Sequence, residues 1–169
     1  MSGRKPRRVR WHPMADTMGI VKGIVAKPSS EDREHLLQML SEPIKALREG
    51  VATELQWSIA AGAVALSQAI EAQGVVRGLT EHLASADAAL QAIYNRAMAT
   101  AVWKPTALYY QELDALQTFA ELYSFQISQL SCGEISQASH LAQRQAAKQG
   151  HKAAVAKTPT EPQLAGVPA

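Results

Sequence analysis

Thr53–Gly74, TELQWSIAAGAVALSQAIEAQG, decides the fold class. The Thr53 hydroxyl can accept from backbone amides left free in a helix's first turn, and Gln56, three residues on, completes a capping box. Leu55, Ile59, Ala63, Leu66 and Ile70 then recur at alternating steps of three and four, the spacing of one buried helical face. Gly74 offers the left-handed residue on which helices commonly stop.

Working outward, the same logic repeats. A second helix is predicted after Thr80, with a stripe of Leu79, Leu83, Ala86, Leu90, Ile93 and Ala97. A third is predicted from Thr106, just after Pro105, to near Gly133. Its stripe is Tyr109, Leu113, Leu116, Ala120, Tyr123, Ile127 and Leu130, and at about 1.5 Å per residue it would run roughly 39 Å. Upstream, Ser29 and Ser30 precede Glu31, Asp32 and Glu34, a start favoured by the helix dipole. Leu36, Leu37, Leu40, Ile44 and Leu47 continue that stripe. Pro43 lacks an amide donor and is expected to kink or divide the segment, leaving 43–49 as a short piece closed by Gly50. Downstream, Glu134–Gln149 is helix-prone but thinly apolar, which reads as a marginal or partner-dependent helix. In 11–27, Met14, Met18, Val21 and Val25 have helical spacing, although Gly19, Gly23 and the Ile-Val pairs oppose it. The reading is a short helix docked on the body. Nothing in 29–149 resembles a strand.

The expected fold is therefore all-α: an antiparallel helical bundle of three long helices plus shorter N-terminal helices. A basic arm and docking segment (1–28) precedes the bundle (29–149), and a flexible tail (150–169), poor in large apolar residues, follows it. Alanines such as Ala60, Ala61, Ala63 and Ala65 allow close helix approach but bury little area each. The core is then expected to lean on the Leu/Ile ridges and on Trp57, Trp103, Tyr109 and Phe119. The long stripes are either consumed within one monomer or shared between copies in a homo-oligomer.

The 169 residues, 18.2 kDa in mass, suit one ordinary domain. With 47% hydrophobic residues, 30 alanines, 10 glycines and 8 prolines, collagen and Pro/Gly-rich disordered polymers are excluded. One cysteine, Cys132, excludes a disulfide framework and a multi-cysteine zinc site, and fits a reducing compartment. The longest apolar stretch, Ile59–Leu66, is too short to span a bilayer, and the basic opening lacks a signal-peptide pattern. A cytoplasmic protein without membrane association is expected.

Net charge is +2, but unevenly spread. Residues 1–28 hold seven basic side chains against Asp16 alone, net +6. Residues 29–149 hold eight basic and thirteen acidic ones, net −5, and 150–169 adds +1. A basic arm on an acidic body points to contact with a polyanion or to an arm lying on its own body.

Catalytic signatures are not found. His12, His35, His82, His140 and His151 are scattered without metal-ligand spacing, and no phosphate loop, dinucleotide-binding glycine pattern or nucleophile elbow is present. Cys132 reads as a structural residue at a helix junction. Glu112 with Asp114, and Glu31 with Asp32, read as solvated faces, because neighbours one or two apart on a helix point in different directions. No catalytic residue, metal or cofactor is predicted. The one constellation with chemical intent is Arg4, Lys5, Arg7, Arg8, Arg10 and Trp11. Guanidinium forks match phosphate oxygens and an indole can stack on a base. Alternatively Val9 and Trp11 pack on the acidic body while the arginines neutralise its carboxylates.

The order of these features resembles a family of small uncharacterised proteins encoded by phages, prophages and plasmids of proteobacteria. The resemblance rests on the Arg7-Arg8-Val9-Arg10 core of the arm, Met14-Ala15-Asp16-Thr17-Met18, Ala46-Leu47 with Gly50, and Ala52-Thr53. It continues with Arg96 ahead of Trp103, then Leu113, Leu116 and Gln126. It covers roughly residues 4–131; the Ala/Gln segment and Pro-containing tail beyond depart from it. It implies a mobile-element setting and a helical fold, and supplies no catalytic residue or ligand. The expected function is a non-enzymatic helical adaptor, or regulatory or inhibitory accessory protein, binding a host or phage macromolecule. The alternative is a nucleic-acid-binding protein using the arm.

Overall fold

The computed structural model describes residue 21 and residues 23–156, with side chains through residue 149. Five helices follow one another: α1 (Ser30–Glu49), α2 (Glu54–Gln73), α3 (Thr80–Ala97), α4 (Tyr110–Gln129) and α5 (Cys132–Ala156). Residues 23–25 are helical as well, and no strand occurs among the described residues. The all-α class is as expected.

Local chemistry sets most of the boundaries. At α1, the Asp32 amide donates to Ser29 Oγ at 3.0 Å and the Ser29 amide donates to Asp32 Oδ2 at 3.3 Å. At α2, the Gln56 amide donates to Thr53 Oγ1 at 3.2 Å and the Thr53 amide returns to Gln56 Oε1 at 2.9 Å, the expected capping box. Gly50 and Gly74 close α1 and α2 at φ 71° and 80°, where a Cβ would be strained. At α3 the cap is Leu79 and not Thr80, which is the first helical residue. Glu71, in the last turn of α2, substitutes for a local cap: its Oε1 accepts from the Leu79 amide at 2.7 Å and the Thr80 hydroxyl at 3.0 Å.

Helix α2 is the hub, packing against each of the other four; α1 also touches α4, and α3 touches α4. A helix with neighbours on several sides cannot hide one narrow stripe, and this displaces the expected face. Ala60, Val64, Ser67, Ala69 and Ile70 are buried, Ile59, Ala63 and Leu66 are only half-buried, and Leu55 is 70% exposed. Small residues occupy the closest approaches, where larger ones would hold the backbones apart. The α3 stripe is as read: Leu83, Ala86, Leu90, Ile93 and Ala97 are all buried.

Several other expectations are corrected. Pro43 does not divide α1; it lies buried in one continuous 20-residue helix. A proline removes one amide bond, and burial of Leu40, Ala46 and Leu47 on both sides of it outweighs that loss. There are thus no separate short helices in 30–49. The third predicted helix starts at Tyr110, not Thr106, and ends at Gln129, giving about 30 Å instead of 39. Its buried face is Glu112, Leu116, Phe119, Tyr123, Gln126 and Ile127, whereas Tyr109 is 64% exposed. Glu134–Gln149 belongs to the longest helix, packed on α2 through the fully buried Ala138, and that helix runs on past residue 149. Of the 11–27 segment, Val21, Ile24 and Val25 are about half exposed or more. Its end is nevertheless docked: the Cys132 amide donates to the Ala26 carbonyl at 2.8 Å. Met14 and Met18 lie outside the described residues.

Trp57 and Trp103 join Tyr94 in an aromatic cluster, with ring centroids 4.6 to 6.3 Å apart. Each indole N–H donates to a carbonyl, Trp57 to Leu90 at 2.9 Å and Trp103 to Ala52 at 2.8 Å. The second bond pins the long α3–α4 connection to the α1–α2 turn. At the centre, Gln126 Nε2 donates to the Ser67 carbonyl at 3.2 Å, while Gln126 Oε1 and Ser67 Oγ have no partner. A buried polar atom left unsatisfied costs about 1–3 kcal/mol.

Two outcomes are expected. Gln126→Met keeps the volume and removes the unsatisfied oxygen, so thermal melting should rise or stay level, whereas Gln126→Ala leaves a cavity and should lower stability by about 2–3 kcal/mol. At Gly133 a Cβ would stand 2.5 Å from Ile24 Cγ2 and 2.8 Å from the Ile24 carbonyl oxygen. Gly133→Ala should therefore undock the 23–26 segment, read as faster hydrogen exchange of the Cys132 amide than in wild type.

Candidate functional site

Chemical and geometric features converge where the end of α3 meets the start of α4. Arg96, in the last turn of α3, and Glu112, in the first turn of α4, each complement their own helix dipole. They form a two-pronged ion pair: Arg96 Nη1 binds Glu112 Oε1, and Nη2 donates to Oε2 at 2.7 Å. Glu112 Oε2 also accepts from the Tyr109 amide at 2.9 Å, so the same carboxylate caps α4. The Arg96 guanidinium lies over the Tyr109 ring, 4.4 Å from its centroid, within cation–π range. One arginine thus fixes the start of a helix and the plane of an exposed phenol.

Burial disfavours the Glu112 charge, but the Arg96 and Tyr109 hydrogen bonds outweigh it and hold the carboxyl below its usual range. Glu112 is 7% exposed, which corrects its reading as a solvated residue; Asp114 is exposed as expected. Sequence reasoning missed this pair because Tyr109 is not a recognised capping residue. The usable signal was Arg96, the lone cation of α3, followed across a loop by a glutamate three residues after a tyrosine.

Alongside this pair, a groove of about 520 Å³ runs between α3 and α4. Ala88, Ala89, Ala92 and Ala115 contribute methyl groups to its lining, and Tyr109, Tyr110, His82 and Asp114 contribute the larger side chains. Tyr110 is 81% exposed. The two helices carry Glu81, Asp87, Glu112, Asp114 and Glu121 against Arg96 alone. Of these, Glu112 and Asp114 line the groove; since Arg96 is bound to Glu112, the exposed Asp114 carboxylate gives the lining its uncompensated negative charge.

Elsewhere the sequence-based site residues find no structural description: Arg4, Lys5, Arg7, Arg8, Arg10, Trp11 and His12 all lie outside the described residues, and His151 falls on the last stretch of α5, beyond the described side chains. His35, His82 and His140 are exposed. No group of three or more His, Cys, Asp or Glu residues suited to a metal ion occurs among the described residues. Cys132 is an exposed free thiol at the start of α5. No helix among the described residues is long and apolar enough to cross a membrane. The chain matches no protein-family model, curated protein or solved structure.

Removing either partner of the ion pair has a defined signature. Arg96→Met leaves Glu112 largely buried without its counter-charge, and a loss of about 2–3 kcal/mol is expected, with Glu112→Gln losing less. Because the folded carboxyl titrates below the unfolded one, its stabilisation is present above the unfolded value, near 4.3. It is lost as pH falls through the lower folded value. Urea unfolding should therefore show a gap between wild type and Glu112→Gln that is constant from about pH 6 to 8 and closes in acid.

Proposed function

We propose that this chain acts by binding and not by catalysis. It serves as a helical adaptor, or regulatory or inhibitory accessory protein, of a phage or other mobile element in the cytoplasm of a bacterial host. Its helices form an antiparallel bundle that presents the α3–α4 groove to a host or phage macromolecule. The observation that carries this reading is the pinned aromatic rim. Arg96 holds the Tyr109 ring in place while 64% of the residue stays exposed, and Tyr110 projects beside it. An aromatic already ordered in the free protein loses little conformational freedom on contact, the property of strong interface anchors. Methyl-lined walls admit a partner's side chains closely, and the Asp114 carboxylate on the lining favours a cationic one.

Affinity capture from bacterial lysate tests this. A specific protein should be retained by the wild type and lost with the double variant Tyr109→Ala, Tyr110→Ala, both positions being exposed and so compatible with an intact fold. Recovery of the same proteins by both forms would overturn the assignment of the groove.

The +6 charge of residues 1–28 supports a second reading, nucleic-acid binding through Arg4, Lys5, Arg7, Arg8, Arg10 and Trp11. Five phosphate contacts would give a slope of about −4.5 in log affinity against log salt on duplex DNA. A shallow slope, or binding that survives replacement of all five cations by alanine, would sink it.

A further inference from the structure

We infer that the α3–α4 groove is the resting place of the chain's own basic segment, Arg4–Trp11, which shields it from other partners. This rests on the reading of the groove as a binding surface and names its first occupant.

Charge complementarity is the first support. Residues 1–28 carry net +6 against net −5 for residues 29–149, and the groove itself is lined by Asp114 and by Glu112, whose partner Arg96 is the single arginine of α3 and α4. Fit is the second. Arginine and lysine stems are apolar along most of their length and suit walls built from Ala88, Ala89, Ala92 and Ala115, and Tyr109 and Tyr110 offer ring faces to a guanidinium or to the Trp11 indole. Pro6 disfavours a helix in the segment, so an extended chain is the form that would lie along the groove.

Reach is the third. The segment enters the described fold beside the start of α5, where Ile24 sits against Gly133 and Ala26 accepts from Cys132. Ala115 lies fourteen residues before Gln129, the last residue of α4, about 21 Å along that helix axis. The ten residues from Trp11 to Val21 can span roughly 33 Å when extended, more than that axial separation. Local tethering also keeps its effective concentration high. Weak individual contacts then suffice, and a partner must outcompete the arm to bind.

A spin label placed near the arm tests this in the full chain, using Ser2→Cys with Cys132→Ser so that one thiol remains. Amide signals of residues 85–92 and 111–118 should lose intensity in the labelled protein. They should recover in about 0.5 M salt, where the screening length is roughly 4 Å, and on replacing the exposed Asp114 and Glu121 by lysine. Unchanged signals at those residues, or loss that persists in the charge-reversed variant, would overturn the inference. A mixture of unlabelled-arm, isotope-enriched protein with spin-labelled, unenriched protein must show no such loss; if it does, the occupant is a second copy's arm and the self-docked form is wrong. Lysate capture reads separately: a partner lost on Tyr109→Ala, Tyr110→Ala with no arm contact preserves the groove as a binding surface while removing the arm from it.

Discussion

Close approach of α2 to four neighbours is the constraint on which the rest depends. It is possible because the buried face of α2 is built from Ala60, Val64, Ser67, Ala69 and Ile70, so no side chain on it is larger than isoleucine. The cost is that each contact buries little apolar area. Larger groups on the surrounding helices make up the difference: Leu47, Leu90, Ile93, Phe119 and Ile127 are all nearly inaccessible to solvent. Connections that would otherwise be loose are tied by single side chains, Trp103 to Ala52 and Glu71 to the start of α3.

Against that frame of methyl groups, the Arg96–Glu112 pair is the one ion pair among the described residues. It performs three tasks with two side chains: it ends the α3–α4 connection, caps α4 through the Tyr109 amide, and orients the Tyr109 ring. A structural device and a surface feature are therefore the same atoms. Changes that loosen the helix start also loosen the aromatic rim, which links the stability of this end of the molecule to what it can bind.

Much of the fold was legible in the sequence because caps and periodicity are local. Thr53 with Gln56, Ser29 ahead of Asp32, Gly50, Gly74 and the α3 stripe follow from residues within a few positions of each other. What misled was non-local. Pro43 signals a break only if its surroundings leave it exposed, and here they bury it. The α4 start was misplaced because its cap is Glu112, held by an arginine sixteen positions earlier. Leu55 and Tyr109 matched a stripe by spacing, but no neighbouring helix covers them. The α5 helix looked marginal on apolar content, although Ser131 and Glu134 form a readable capping box that went unused. Glu134 is correspondingly held below the ordinary carboxylate range by the Ser131 amide and hydroxyl. The groove was not legible at all, since it exists only where α3 and α4 come together.

The junction between α4 and α5 is two residues, Leu130 and Ser131, while the link between α3 and α4 takes twelve. Leu130 is wholly buried and Ser131 is engaged as a cap, so the elbow has no slack. A residue gained or lost there would pull either Leu130 from the core or Ser131 from its cap, whereas one gained inside α5 ahead of Ala138 would turn that residue about 100° away from α2. A change in length is therefore absorbed more readily by the twelve-residue link than by this elbow, which acts as a fixed joint between the last two helices.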